Sequence, residues 1–212
     1  MSNQHTDFGT PQEEFWAGSF GDEYINRNTE EKFLASNIAF FSKILSNTSG
    51  IKSIVEFGPN IGLNLRALQM LLPSVDMAGI EINSEAARQL KCSLPKAEIF
   101  NESILTVELQ KQFDLALIKG VLIHINPDSL PDVYDKLANA SARYVVIAEY
   151  YNPSPVSIPY RGHDDRLFKR NFAGEFLDLH SEFSLVDYGF TWHRDPNFPQ
   201  DDLTWFLLER RK

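Results

Sequence analysis

Two carboxylates and two glycines could act together in this chain. Glu56, Gly58 and Gly62 stand in the run Glu56-Phe57-Gly58-Pro59-Asn60-Ile61-Gly62. Glu81 follows about 25 residues beyond Glu56, near the spacing at which doubly wound folds place an acid on ribose hydroxyls. A glycine at 58 lets a ligand come close to the backbone, and one at 62 lets the next helix pack tightly on a sheet. The run is not the G-x-G-x-x-G of a dinucleotide site. Residue 60 is Asn where a second glycine would let a pyrophosphate press on the backbone. Glu56 would be repelled by phosphate and attracted by an ammonium or sulfonium. The chemistry implied is recognition of a cationic, phosphate-free nucleoside. A carboxylate accepts two hydroxyl hydrogen bonds at once, which suits Glu81 to a ribose. The other reading of Glu81 is a cap for the helix predicted at 84–93.

These residues need a strand, a turn and a helix to hold them. Ile51, Ile54, Val55 and Phe57 form the apolar run of a strand covered on both faces. Leu63, Leu65, Leu68, Leu71 and Leu72 recur at helical spacing, and the start of that helix points N–H groups and partial positive charge into the crevice. Further strands are predicted at 75–81, 97–100, 113–120, 143–150, 183–190 and 203–210. Helices are predicted at 30–46 with Thr29 as N-cap, 85–92 capped by Asn83 or Ser84, 127–140 and 172–180. Strand and helix in alternation imply an α/β fold with a mostly parallel sheet and helices on both faces.

Composition narrows the class. The chain has 212 residues, is 43% hydrophobic, and fits one domain. Its net charge of -9 argues against a general nucleic-acid binder. The single cysteine, Cys92, excludes an internal disulfide and fits a reducing cytoplasm. The first ten residues read as no signal peptide, and no apolar run is long enough to span a membrane. No His/Cys/Asp cluster has metal-ligand spacing. Oligomeric state is not legible.

Other candidates lie toward an acceptor. The N-terminal part, 1–46, carries Phe15, Trp16, Phe20 and Tyr24, with bends allowed at Gly18 and Gly21. It reads as a lid on the core or as a flap that brings Tyr24 or Arg27 into the site. His124, after the strand at 113–120, and His163 are candidate bases. The insert at 151–171 holds three prolines, which forbid regular ladder pairing, and then the cluster Tyr160, Arg161, Arg166, Lys169 and Arg170. Guanidinium groups bind carboxylate or phosphate, so the cluster implies an anionic acceptor. Its bland reading is neutralisation of Asp164 and Asp165.

The E-x-G-x-x-x-G run resembles motif I of the class I S-adenosylmethionine (SAM)-dependent methyltransferases. That resemblance implies a seven-stranded Rossmann-like sheet in the order 3-2-1-4-5-7-6, ending in an antiparallel hairpin. It implies SAM as cofactor and S-adenosylhomocysteine (SAH) as product. Pro59, Asn60 and Ile82 would join the cofactor contacts, Glu102-Ser103 would bind the adenine amine, and the carbonyls of Lys119 and Gly120 would face the methionine ammonium. Asp114 resembles the acid of motif IV. Three runs together, FWAGSFGDEYINRN, EFGPNIGLNLRAL and PYRGHDDRLFKRNFAGEF, resemble the pseudaminic acid biosynthesis-associated methyltransferases. This implies methyl transfer to an O or N of a nonulosonic acid sugar, its CMP form or a precursor, within glycan modification. The alternatives are another small carboxylic acid or peptide as acceptor, or a non-catalytic SAM-binding regulator.

Overall fold

The computed structural model describes residues 8–25 and 31–211. Arg27 and the cap expected at Thr29 lie outside the described residues. Two short helices, α1 (Pro11–Ala17) and α2 (Ser19–Ile25), precede a longer one, α3 (Glu31–Leu45). Strand and helix then alternate: β1 (Ser53–Phe57), α4 (Leu63–Leu71), β2 (Asp76–Ile80), α5 (Ser84–Ser93), β3 (Glu98–Phe100), β4 (Phe113–Lys119), α6 (Leu130–Ala140) and β5 (Ser141–Glu149). The insert forms a ribbon of two short strands, β6 (Val156–Ser157) and β7 (Phe168–Lys169). The chain closes with α7 (Phe172–Leu179), β8 (Phe183–Phe190) and β9 (Thr204–Arg210).

The main sheet runs β3-β2-β1-β4-β5-β9-β8. The first five strands are parallel, while β9 is antiparallel to both β5 and β8. With the ribbon left out of the count, this is the expected order 3-2-1-4-5-7-6. Alternation along each strand sends side chains to opposite layers. Ile54 packs with Phe40, Phe41, Leu65, Leu68 and Leu90 on one face. Val55 and Phe57 pack with Val133, Leu137 and Phe176 on the other. Both faces are covered by helices, which is why β1 reads as a continuous apolar run.

Three local expectations are revised. Gly18 breaks α1 from α2, but Gly21 lies inside α2 and is no bend. A Cβ there would sit 2.1 Å from the Trp16 carbonyl oxygen, so the residue is small because two helices meet at it. The prolines of the insert do not abolish pairing. Val156 and Ser157 pair with Lys169 and Phe168, in the short gap that Pro155 and Pro159 leave free. The helix at 127–140 begins as a single 3-10 turn, Pro127–Ser129.

Asp114, whose run resembles motif IV, stands near the start of β4. Its Oδ2 accepts from the backbone N–H of Lys52 and of Ser53 at 2.7 and 3.0 Å. It ties the start of β4 to the start of β1, at the edge of the sheet opposite the crevice.

Candidate functional site

The sheet order reverses between β1 and β4, and a crevice opens where the C-terminal ends of those strands part. A cavity of about 580 Å³ fills it, within the range of small-molecule sites. Gly58, Pro59 and Asn60 enter its wall from the turn after β1, Glu81 and Ile82 from the end of β2, Ser103 from beyond β3, and Lys119 and Gly120 from the end of β4. Eight expected cofactor residues are thus brought to one surface by strand ends.

Glu81 is buried, and both carboxylate oxygens are oriented. Oε2 accepts from the Asn60 N–H and Oε1 from the Asn83 N–H, each at 2.8 Å. Burial raises its pKa, while these backbone donors pull it back. Glu81 does not cap α5. Asn83 does, through its Oδ1 and the Ala86 N–H at 2.9 Å. Each Glu81 oxygen keeps a lone pair for a ligand hydroxyl.

The turn adds neighbours to three of the expected residues. Gly58 has φ +74, and its close neighbour is Val121: an added Cβ would sit 2.6 Å from the Val121 Cγ2. The glycine admits the loop after β4 against the turn. Gly62 has φ +87 and stands outside the cavity wall, where an added Cβ would lie 2.3 Å from Leu90 Cδ1 of α5. As N-cap of α4 it offers no side chain to the first helical N–H groups, so the helix start keeps its donors and partial positive charge beside Leu63 and Asn64, which line the cavity. Glu56 is also outside the wall. Its Oε1 accepts from Asn64 Nδ2 at 2.6 Å, and its Oε2 has no hydrogen-bond partner among the described residues. Burial pushes this carboxyl up to about 7, with Asn64 and then Lys119 opposing the shift. Glu56 therefore acts on the crevice through Asn64 and through its charge.

Glu102 is exposed and outside the wall, so the acid at the far end of the cavity comes from elsewhere. Glu13 of α1 supplies it. Its carboxylate accepts from Ser103 Oγ and closes a capping box with Thr10. Gln12 beside it donates to the Asp165 carbonyl at 2.9 Å, and its buried Oε1 has no hydrogen-bond partner among the described residues. Asn83 Nδ2 donates to Asp22 of α2 at 2.9 Å. The N-terminal helices are thereby bonded to both the β2 and β3 loops and to the insert.

Acidic groups surround Lys119. Glu56, Asp201 and Glu149 all attract its ammonium, while burial pushes its pKa down. Glu149 accepts from the Val121 and Leu122 N–H groups, each at 2.9 Å, and so pins the loop that carries His124. Burial raises the Glu149 carboxyl to about 7.

No protein-family model matches the sequence, and no curated protein matches it. Solved structures do. The magnesium protoporphyrin IX methyltransferase of Synechocystis PCC 6803, with bound SAM, is 12% identical over 97% of this chain and 100% of its own, with TM-score 0.65. The plantazolicin methyltransferase BpumL, with a desmethyl plantazolicin analogue and SAH, is 15% identical over 94% and 95%, with TM-score 0.66. The N-methyltransferase NodS of Bradyrhizobium japonicum WM9, with SAH, is 12% identical over 90% and 98%, with TM-score 0.65. The fold is that of the class I SAM-dependent methyltransferases.

Within the methyltransferase fold, the acceptor side departs most from expectation. His124 and Tyr24 line the cavity, as does Tyr160, but His163 is exposed and outside it, held edge-on to Phe15 at 5.3 Å. Arg161, Lys169 and Arg170 are outside it too. Arg170 Nε donates to Glu175 at 2.8 Å, and Tyr134 donates to the same carboxylate. Arg166 pairs with Asp165 at 2.6 Å. Arg161 is exposed near the rings of Phe20 and Tyr160, and Lys169 lies 5.1 Å from the Tyr150 ring centroid. Acids thus take Arg166 and Arg170, while Arg161 and Lys169 stand beside Tyr160 and Tyr150, rings that line the cavity.

Of the two histidines expected as bases, His124 is the one that lines the cavity. Its Nδ1 lies 2.6 Å from the Arg166 carbonyl oxygen. A carbonyl only accepts, so Nδ1 carries the proton and Nε2 keeps its lone pair. Burial depresses its pKa to about 4, so the ring is neutral at neutral pH. Trp16 packs on it at 4.6 Å and Tyr160 at 5.4 Å.

The sequence reading missed several wall residues. Asn37 and Gln200 meet through a 2.7 Å hydrogen bond across 163 positions. His193 holds Asp202 through Nδ1 at 2.8 Å. Tyr150 is hydrogen-bonded to Asp201, with burial raising its pKa. The loop between β8 and β9 carried no motif; two prolines beside His and Asp were its only signal.

Proposed function

We propose that this chain transfers a methyl group from SAM to an oxygen or nitrogen of an anionic small molecule. The acceptor is a nonulosonic (pseudaminic) acid sugar, its CMP form or a precursor. The observation that carries the cofactor reading is the Glu81 carboxylate. It is buried at the end of β2, oriented by two backbone N–H groups, and opens on a crevice that Glu13 and Asp201 also line. Such a wall suits a nucleoside with hydroxyls and positive charge and opposes a pyrophosphate. The residues fit SAM: the orphan Oε2 of Glu56 and the charge of Lys119 match an amino-acid end, and Ile82, Ile104 and Leu105 offer apolar surface to a base.

When bound, SAM supplies a methyl group on a sulfonium, ready for in-line displacement. The protein's part is to hold an acceptor at that carbon and to manage its proton. His124 Nε2 takes the proton of an acceptor hydroxyl as its oxygen forms the new bond to carbon. Glu149 fixes the loop, and the Arg166 carbonyl fixes the tautomer. Tyr24, Tyr160 and Trp16 wall the acceptor space and exclude water. The sugar-acid acceptor is supported by the three runs of resemblance, two of which build this wall. The insert cations do not support it, since they lie outside.

Incubation with labelled SAM and a panel of sugar nucleotides tests the reading. Label in CMP-pseudaminic acid is the expected result. Label only in a small carboxylic acid or a peptide would change the acceptor. SAM binding with no turnover on any acceptor would favour a regulator.

A further inference from the structure

Lys119 ends β4 directly beside the turn after β1. The register pairs Phe57 with Ile118, so Lys119 comes level with Gly58 across the switch point. It lines the cavity. Among the described residues its ammonium makes no ion pair within 4.0 Å and no hydrogen bond, and its Nζ stands 5.7 Å from the centroid of the Phe40 ring. Among the described residues that line the cavity it is the one lysine or arginine; Glu81 and Asp201 share the wall, and Glu56 and Glu149 act on its charge from outside it. A lysine held there without a carboxylate at bonding distance is an unfilled half of an ion pair.

The direction of the cofactor says what would fill it. Glu81 at the end of β2 takes the ribose, and β3 lies on the far side of β2 from β1. The base then extends toward Ser103, and the opposite end of the molecule returns past Gly58 to β4. That end is an amino acid, with one ammonium and one carboxylate. Glu56 supplies negative charge on the β1 side and Lys119 positive charge on the β4 side, so the two match the zwitterion group by group.

We propose that Lys119 binds the carboxylate of the cofactor's amino-acid end through its side-chain ammonium. This rests on the cofactor reading above and adds to the carbonyl contacts expected of residues 119 and 120. It assigns the side chain a specificity role: Lys119 separates intact cofactor from analogues that lack the carboxylate.

Calorimetry with two ligands tests it on the full chain. SAH carries ammonium and carboxylate; its decarboxylated analogue carries the ammonium alone. The wild type should bind SAH roughly ten- to a hundredfold more tightly, the range of a charge-assisted hydrogen bond. Lys119→Met should lose that preference, binding SAH more weakly and the analogue as well or better, since a like charge has gone. Lys119→Arg should keep most of it. Retained analogue binding also shows that the variant is folded. Equal weakening of both ligands by Lys119→Met, or unchanged SAH affinity, would overturn the proposal. A wild type that binds neither ligand would overturn the cofactor reading, and this assignment with it.

Discussion

The two walls of the cavity are built by different means. The wall formed by the ends of β1, β2 and β4 is made of backbone and of side chains at a strand's last residue or within a few residues beyond it. Its key carboxylate, Glu81, is held by N–H groups 2 and 21 positions away. The opposite wall, from the N-terminal helices, the insert and the β8–β9 loop, is made of side chains joined over long separations. Gln12 reaches Asp165 across 153 positions and Ser103 reaches Glu13 across 90. Strand ends can place a cofactor whatever the acceptor, whereas a wall of side-chain contacts can be re-cut for a new acceptor without disturbing the sheet.

Perturbing each wall separately should sharpen this contrast. The largest effect is expected at His124. His124→Gln should lower kcat by about 10²–10⁴, the usual span for a general base, with SAH affinity changed less than about threefold. A parallel loss of SAH affinity would move His124 to the cofactor wall and break the comparison.

Glu56 gives the next effect, on pH. Its carboxyl sits at about 7 in the free protein because it is buried, with Asn64, Lys119 and Glu81 facing it. A cationic ligand favours the ionised form, so binding below pH 7 must expel a proton. SAM affinity should therefore fall as pH drops below about 7, by up to about tenfold per unit, and Glu56→Gln should flatten the profile. Linkage also runs through folding. The native carboxyl binds a proton more tightly than the unfolded one, so Glu56 favours the free fold below about pH 4.5, and that contribution is lost as pH rises to about 7. Glu56→Gln should gain thermal stability relative to wild type across that window, read by calorimetric unfolding.

The smallest effect is expected at the exposed cations. Arg161→Ala should leave kcat/KM within about twofold, because Arg161 stands outside the cavity on the rings of Phe20 and Tyr160. A tenfold rise in acceptor KM would return the basic cluster to the site.

What the sequence showed follows the same divide. Glu56, Gly58, Gly62 and Glu81 were legible because a strand, a turn and a helix fix them over short spans, and the apolar runs reveal those elements. Reading the role of each was harder. Gly58 accommodates Val121, and Gly62 accommodates Leu90; neither partner can be found from spacing. The acid beside Ser103 was expected at its neighbour Glu102 but arrives on Glu13 from α1. Arg170 looked available in a charged run, yet Glu175 takes it five residues on, one helical turn into α7. His163 and His124 were equal as letters; only the Arg166 carbonyl and the cavity wall distinguish them.

The central claim is that Glu81 takes the ribose of a cationic nucleoside in the β1–β4 crevice. Calorimetric titration of SAH into wild type, Glu81→Gln and Glu81→Ala tests it most directly. The account predicts binding by wild type, an intermediate loss for the glutamine variant and at least about a hundredfold loss for the alanine variant, as expected when two charge-assisted hydrogen bonds go. Equal SAH affinity in all three proteins would contradict it, as would tight binding of NAD by a wild type that ignores SAH.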